Sequence, residues 1–165
     1  EKIPTFKEVL ELLKGKVMLD IDYKAEGKRA ARSTARLLRK TKMERQSLFF
    51  LYDYRDAPAL RRMNKKIQFM MRAYNREDVD GIFNQGIEVP VIHADAKFYS
   101  DSLMGVIRGK GIRLWMNALG KYDTMEKTET NSGFDALLQM RHTNIIQTDL
   151  YKELMDYLKV RGLHR

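Results

Sequence analysis

Asp20, Asp22 and Lys24 alternate with Leu19, Ile21 and Tyr23 along one short run. Successive side chains of an extended strand point to opposite faces, so the two carboxylates and the ammonium share one face. The apolar face suits a covering layer of helices. The charged face, turned into an interior, is costly unless its members pair or bind a metal. Two readings stay open: a hard cation such as Mg²⁺ or Ca²⁺ on Asp22 and Asp20 with Lys24 on a phosphate, or an internal Asp22–Lys24 ion pair. Other expected strand ends add His93 with Asp95, Trp115 with Asn117, and Thr148 with Asp149. Trp115 and Asn117 share parity, so an aromatic wall and an amide can face one pocket. A lone histidine is more often a hydrogen-bonded structural residue, and Asp149 has the position of an N-cap for the last helix.

The elements that must position these groups follow a repeating order. Thr5 and Glu8 have capping-box spacing, and Val9, Leu10, Leu12 and Leu13 form the expected buried face of a first helix stopped by Lys14-Gly15-Lys16. A strand is expected over 17–24, then a helix whose apolar stripe is Ala30, Ala31, Thr34, Ala35, Leu37 and Leu38. The unbroken apolar run 47–52 suits a strand covered on both faces. A helix over 58–67, a strand over 69–74, a short helix or turn over 78–85 and a strand over 87–93 follow. Ser100 caps a helix ended by Gly109 and Gly111, and 112–117 is the next strand. The polar stretch 120–132 reads as a loop, before a helix at 134–140 and a strand at 144–148. Leu150, Leu154 and Leu158 mark a last helix. About six strands, each followed by a helix, predict an α/β fold with a parallel sheet. No Gly-rich phosphate loop follows the first strand, which argues against a dinucleotide fold or a P-loop. The expectation is an incomplete (β/α)8 TIM barrel, one domain over 1–165, with its chemistry at the carboxyl ends of the strands.

Composition narrows the function classes. The 165 residues are 44% hydrophobic and 32% charged, which is globular and long enough for a core. The absence of cysteine excludes a disulfide scaffold, a thiolate zinc site and a Cys nucleophile, while leaving a cytoplasmic or an exported location open. No apolar run approaches the ~20 residues of a membrane span, and no signal-peptide pattern opens the chain. The first residue is Glu1 rather than Met, which points to processing or cutting upstream. Much of the excess behind the net charge of +9 lies between Lys24 and Arg45, where the second expected helix packs Ala and Leu inward and solvates a basic face. A second basic group, Arg61, Arg62, Lys65 and Lys66, reads the same way. No zinc-finger, RNA-recognition or helix-turn-helix signature accompanies them, so nucleic acid is not the expected partner. Attraction to anionic substrates or membrane surfaces is the milder consequence.

Ile3-Pro4-Thr5-Phe6-Lys7-Glu8-Val9-Leu10 followed by Leu19-Asp20-Ile21-Asp22-Tyr23-Lys24 resembles the middle of the glycerophosphodiester phosphodiesterase family. In that family a similar helix leads into a strand ending in an acidic-x-Lys motif. Leu114-Trp115-Met116-Asn117 and Ile145-Ile146-Gln147-Thr148-Asp149 are similar to its last two strands. The resemblance is strongest at the two ends of the chain and thin from 49 to 110. It implies a metal-dependent barrel that hydrolyses glycerophosphodiesters to an alcohol and glycerol 3-phosphate. By it Asp22 takes the place of a glutamate metal ligand, one methylene shorter, with Asp20 beside it. Lys24 would hold the substrate phosphate and Trp115 would line the pocket near the glycerol, with Asn117 and His93 as further substrate contacts. The metal, Mg or Ca, would polarise the phosphoryl oxygen.

The family's opening His-Arg, Glu-x-Asp and His-Asp motifs, which carry its acid–base histidines, do not precede Ile3, and His164-Arg165 reads as a tail. The chain thus resembles roughly the last three quarters of such a barrel. No catalytic residue is assigned, a metal needs ligands missing from this chain, and the isolated chain is expected to be inactive. Its outer strands are expected to leave open edges that favour a homo-oligomer. The alternative is a non-catalytic domain that binds phosphate or lipid headgroups or serves assembly. The 120–132 stretch, just after the Trp115 strand, is the expected specificity element, with a plain surface loop as the other reading.

Overall fold

The computed structural model describes residues 2–24 and 28–164. They form six strands alternating with helices, in two compact units. The first unit is Glu1–Arg72 with Glu77–Val91, and the second is Ala73–Arg76 with Ile92–Arg165.

In the first unit, helix α1 (Phe6–Leu13) starts at the expected capping box: the Thr5 amide donates to Glu8 Oε2 at 2.7 Å and the Glu8 amide to Thr5 Oγ1 at 3.3 Å. Leu10 is fully buried, but Leu12 is 64% exposed, so the expected inward face is narrower than its leucine content. Strand β1 (Leu19–Asp22) is shorter than the expected 17–24; it begins at Leu19, opposite Ser47, the first residue of β2 (Ser47–Leu51), and its last pair is Asp22↔Phe50. Gln46 fixes the turn before β1, accepting from the Gly15 amide at 2.8 Å and donating to the carbonyls of Leu13 and Val17. Gly15 takes φ +75°, a left-handed turn that favours glycine.

Helix α2 (Lys28–Thr41) buries Ala31, Ala35 and Leu38 and exposes its arginines, as its period predicts. Strand β2 is buried at every residue, and pairs in parallel with both β1 and β3 (Gln68–Ala73). Helix α3 (Ala57–Met63) stops short of the expected 67. Asn64 is extended there and turns its amide to the Ala35 carbonyl, while its oxygen takes the Lys66 N–H. Helix α4 (Arg76–Asn84) follows β3.

In the second unit the order is β4 (Val91–Ala94), α5 (Asp101–Gly109), β5 (Arg113–Asn117), α6 (Lys121–Thr128), α7 (Ser132–Leu138), β6 (Thr143–Gln147) and α8 (Tyr151–Val160). Strand β4 begins after Pro90 rather than at 87, since proline has no N–H for a ladder. Strand β5 pairs in parallel with β6, with an irregularity between Leu114 and Trp115. Strand order follows chain order, β1-β2-β3 and then β4-β5-β6.

The 120–132 stretch corrects the sequence expectation: α6 fills most of it. Its inward positions are Asp123 and Glu126, both buried, so the helical period is carried by carboxylates rather than by apolar residues. Asp149 is not the N-cap of α8; that place is Leu150, and the Asp149 amide donates to Asp123. Phe134, Leu154 and Tyr157 pack as a core cluster with Leu150 and Leu158 against it, which matches the leucine spacing.

Candidate functional site

Asp20, Asp22 and Lys24 belong to the first unit, and His93, Trp115 and Asn117 to the second. Along β1 burial alternates: Leu19 and Ile21 are half-buried, Asp20 and Asp22 exposed. Tyr23 continues the covered face, its ring 4.9 Å from that of Phe49. The carboxylates therefore share a face, as their parity predicts, and that face is open to water in this chain.

Lys24 Nζ stands 2.9 Å from Asp22 Oδ2, with the two side chains 71% and 46% exposed. The ion pair that the sequence left as one of two readings is thus formed, but at a surface. From the end of β2, the Tyr52 hydroxyl donates to Asp22 Oδ1 at 2.9 Å. The ring of Tyr52 is fixed edge-on against Phe50, 4.7 Å between centroids. Tyr52 is the site neighbour that sequence reasoning missed. Its signal was present: it lies two residues past Phe50, the partner of Asp22 in the register, and so on the same face.

The electrostatics follow from these contacts. Desolvation raises the Asp22 carboxyl, but the hydrogen bonds from Lys24 and Tyr52 and the lysine's charge outweigh it and hold the pKa below its usual value. The same bond raises Lys24, so the ammonium is secure near neutrality. Asp20 has no such partner among the described residues. Partial desolvation, with the like charge of Asp22 behind it, pushes its carboxyl up to about 6 although water reaches the residue.

In the second unit His93 is buried at the end of β4, its ring 6.2 Å from that of Trp115. The Trp115 indole N–H donates to Gln147 Oε1 at 3.3 Å, fixing the indole plane from the neighbouring strand. His93, Trp115 and Gln147 form one aromatic and amide wall. Asn117 Oδ1 accepts from the Leu119 amide at 2.7 Å and shapes the turn after β5. The loop after β6 is tied down by Asp123, which accepts from the Thr148 hydroxyl at 2.6 Å and the Asp149 amide at 3.0 Å.

A divalent cation is the group the family resemblance implies. Hard cations take roughly six or more oxygen ligands, of which carboxylates are the strongest. Among the described residues no three His, Asp or Glu side chains come together as a metal-holding group. Asp22 accepts from Tyr52 on one oxygen and pairs with Lys24 on the other, which leaves one further lone pair on each. Asp20 and Asp22 therefore do not make a cation site by themselves.

No family model and no curated relative matches the chain. Solved structures do. A glycerophosphoryl diester phosphodiesterase from Parabacteroides distasonis matches with a TM-score of 0.79 at 19% identity, over 97% of this chain and 56% of its own. A glycerophosphodiester phosphodiesterase candidate from Galdieria sulphuraria matches with 0.75 at 9% identity, over 95% and 64%. A second Parabacteroides distasonis glycerophosphodiester phosphodiesterase gives 0.65 at 14%, over 98% and 66%. Identities this low establish the fold alone. The chain has the fold of these glycerophosphodiester phosphodiesterases, as an incomplete (β/α)8 barrel of six parallel βα units that spans 56–66% of their length.

Proposed function

We propose that the chain is part of a barrel that hydrolyses glycerophosphodiesters to an alcohol and glycerol 3-phosphate, and that the isolated chain is inactive. In this reading 1–165 is a piece of one barrel domain. The observation that carries it is the acidic-x-Lys end of β1, where Lys24 offers a secure ammonium oriented by Asp22 and Tyr52. An ammonium so held binds a phosphodiester oxygen as a point charge. In the second unit, by the family resemblance, Trp115 would line the glycerol side of the substrate, with His93 and Asn117 as further contacts. Asp22 and Asp20 would be two members of a larger ligand set for a divalent cation, which would polarise the phosphoryl oxygen. The acid–base groups lie outside the described residues.

The test is turnover of glycerophosphocholine by this chain and by a longer protein carrying the segment before Glu1, each with and without Mg²⁺ or Ca²⁺. The expected result is no turnover by the chain, metal-dependent turnover by the longer protein, and a loss of about 10²–10³ in rate on Lys24→Ala there. Turnover by the isolated chain that disappears on Asp22→Ala overturns the inactivity. No turnover by either protein overturns the enzyme reading.

A second reading, binding of phosphate or a lipid headgroup without chemistry, is favoured by the pairing of Asp22 with Lys24 and Tyr52 rather than with a cluster of further carboxylates. Calorimetry with glycerol 3-phosphate separates the two: heat of binding without turnover by the longer protein supports the second.

A further inference from the structure

The exposed face of α2 has no counterpart in the proposed reaction. Arg29, Arg32, Arg36, Arg39 and Lys40 are all exposed on it, and the helix carries no acidic residue. Over twelve residues that stripe is about 17 Å long at the helical rise. None of these five cations pairs with a carboxylate among the described residues, whereas Lys24 and Arg55 elsewhere in the same unit do.

Helix α2 also packs against α1 on one side and α3 on the other, and both neighbours extend the charge. A groove of about 270 Å³ brings Arg39 together with Arg62, Lys65 and Lys66. Its one carboxylate, Glu44, is buried and takes a hydrogen bond from Asn64. A groove of about 410 Å³ brings Lys40 together with Lys7 and Lys14, with Glu11 engaged by Lys7 at 3.5 Å. Adjacent residues of one helix thus open onto two basic grooves.

We propose that this cationic face of the first unit is a docking surface for an anionic lipid bilayer. A helix flanked on both sides cannot enter a nucleic-acid groove as a free recognition helix does. The stripe has no aromatic residue on which an unpaired base could stack. A broad face of guanidinium and ammonium groups instead matches a plane of phosphate and carboxylate headgroups, held by the negative surface potential.

The experiment is flotation of the 165-residue chain with phosphatidylcholine vesicles, with and without phosphatidylserine, across a salt series. Each cation near such a surface contributes about fivefold to partitioning. The expected result is flotation only with phosphatidylserine, weakening as salt rises, and a drop of at least tenfold for Arg32→Glu with Arg36→Glu. Lys65→Glu with Lys66→Glu gives the same direction and guards against misfolding of the first variant, with circular dichroism melts as the check. Lys159→Glu, exposed on α8 in the other unit, leaves binding unchanged. Failure to float with phosphatidylserine at low salt overturns the proposal, as does equal loss in Lys159→Glu. Tighter retention on duplex DNA than on the vesicles assigns the face to nucleic acid and overturns it as well.

Discussion

Three side chains decide what the end of β1 can do, because Asp22 is shared between an ammonium and a phenol. Lys24 keeps its charge through that bond, and Tyr52 is stiffened by it. The same device recurs away from the site, where the Tyr157 hydroxyl donates to Asp135 and Arg161 bridges to that carboxylate at 3.2 Å while stacking over the ring. Desolvation of the phenol, then the bond and charge of Asp135, push its pKa up to about 12 from an ordinary 10.0. The folded form therefore keeps this proton to higher pH than the unfolded form, and unfolding releases it between those two values. Stability from this group is full below pH 10 and is lost as pH rises through about 12. A phenolate absorbance titration of the native protein is expected to show several tyrosines titrating late, Tyr23, Tyr52 and Tyr99 among them, and to lose its latest component in Tyr157→Phe. That variant also loses about 1 kcal/mol of stability with its hydrogen bond. An unchanged titration curve in the variant would show that the latest phenol lies elsewhere.

Helix α6 and helix α7 are joined through Gly133, and the approach is closer than any side chain allows. A Cβ there would stand 2.0 Å from the Tyr122 carbonyl oxygen and 2.8 Å from the Glu126 nitrogen. Gly133→Ala is expected to cost about 3 kcal/mol in urea unfolding, the upper range for overpacking, because the obstacle is backbone. Gly109→Ala, with nothing within 4 Å, is expected to gain about 0.5 kcal/mol by restricting the unfolded chain. Similar costs at the two sites would mean that the α6–α7 contact is looser than its geometry.

This pair of helices also marks where the sequence stops being legible. The capping box of α1, the basic outer face of α2 and the leucine spacing of α8 can all be read from residue type and period, and each is present. Helix α6 escapes that reading because its inward face is Asp123 and Glu126. Their carboxylates accept from Thr148 and Asp149 in one case, and from the Asn131 and Phe134 amides in the other. Hydrophobic period cannot report a helix buried by hydrogen bonds. Strand limits escape for a different reason: β1 begins where β2 begins to offer partners, at Leu19↔Ser47, which is a property of two segments and not of one. The same holds for Tyr52, visible as a partner of Asp22 only once the register is known.

For the whole molecule, the opposing quantities are open strand edges and net charge. Among the described residues β1 has β2 as its one strand neighbour and β6 has β5, so each presents one side as a sheet edge. Val17 and Met18, 49% and 61% exposed just before β1, add apolar surface to the first edge. Such edges favour pairing with another copy, while a formal charge of +9 repels it. Repulsion between surfaces is screened within about 10 Å at 0.1 M salt, whereas hydrogen bonding along an edge is not. Self-association is therefore expected to rise with salt, opposite in sign to the binding of anionic vesicles, which falls with it. Sedimentation velocity across a concentration series is expected to show little dimer at low salt and a growing dimer at moderate salt. Met18→Lys, which places a charge beside the β1 edge, is expected to return the population toward monomer. A monodisperse monomer at every salt and concentration, with one cooperative unfolding transition, would mean that the edges are protected and that charge alone governs how this chain meets its partners.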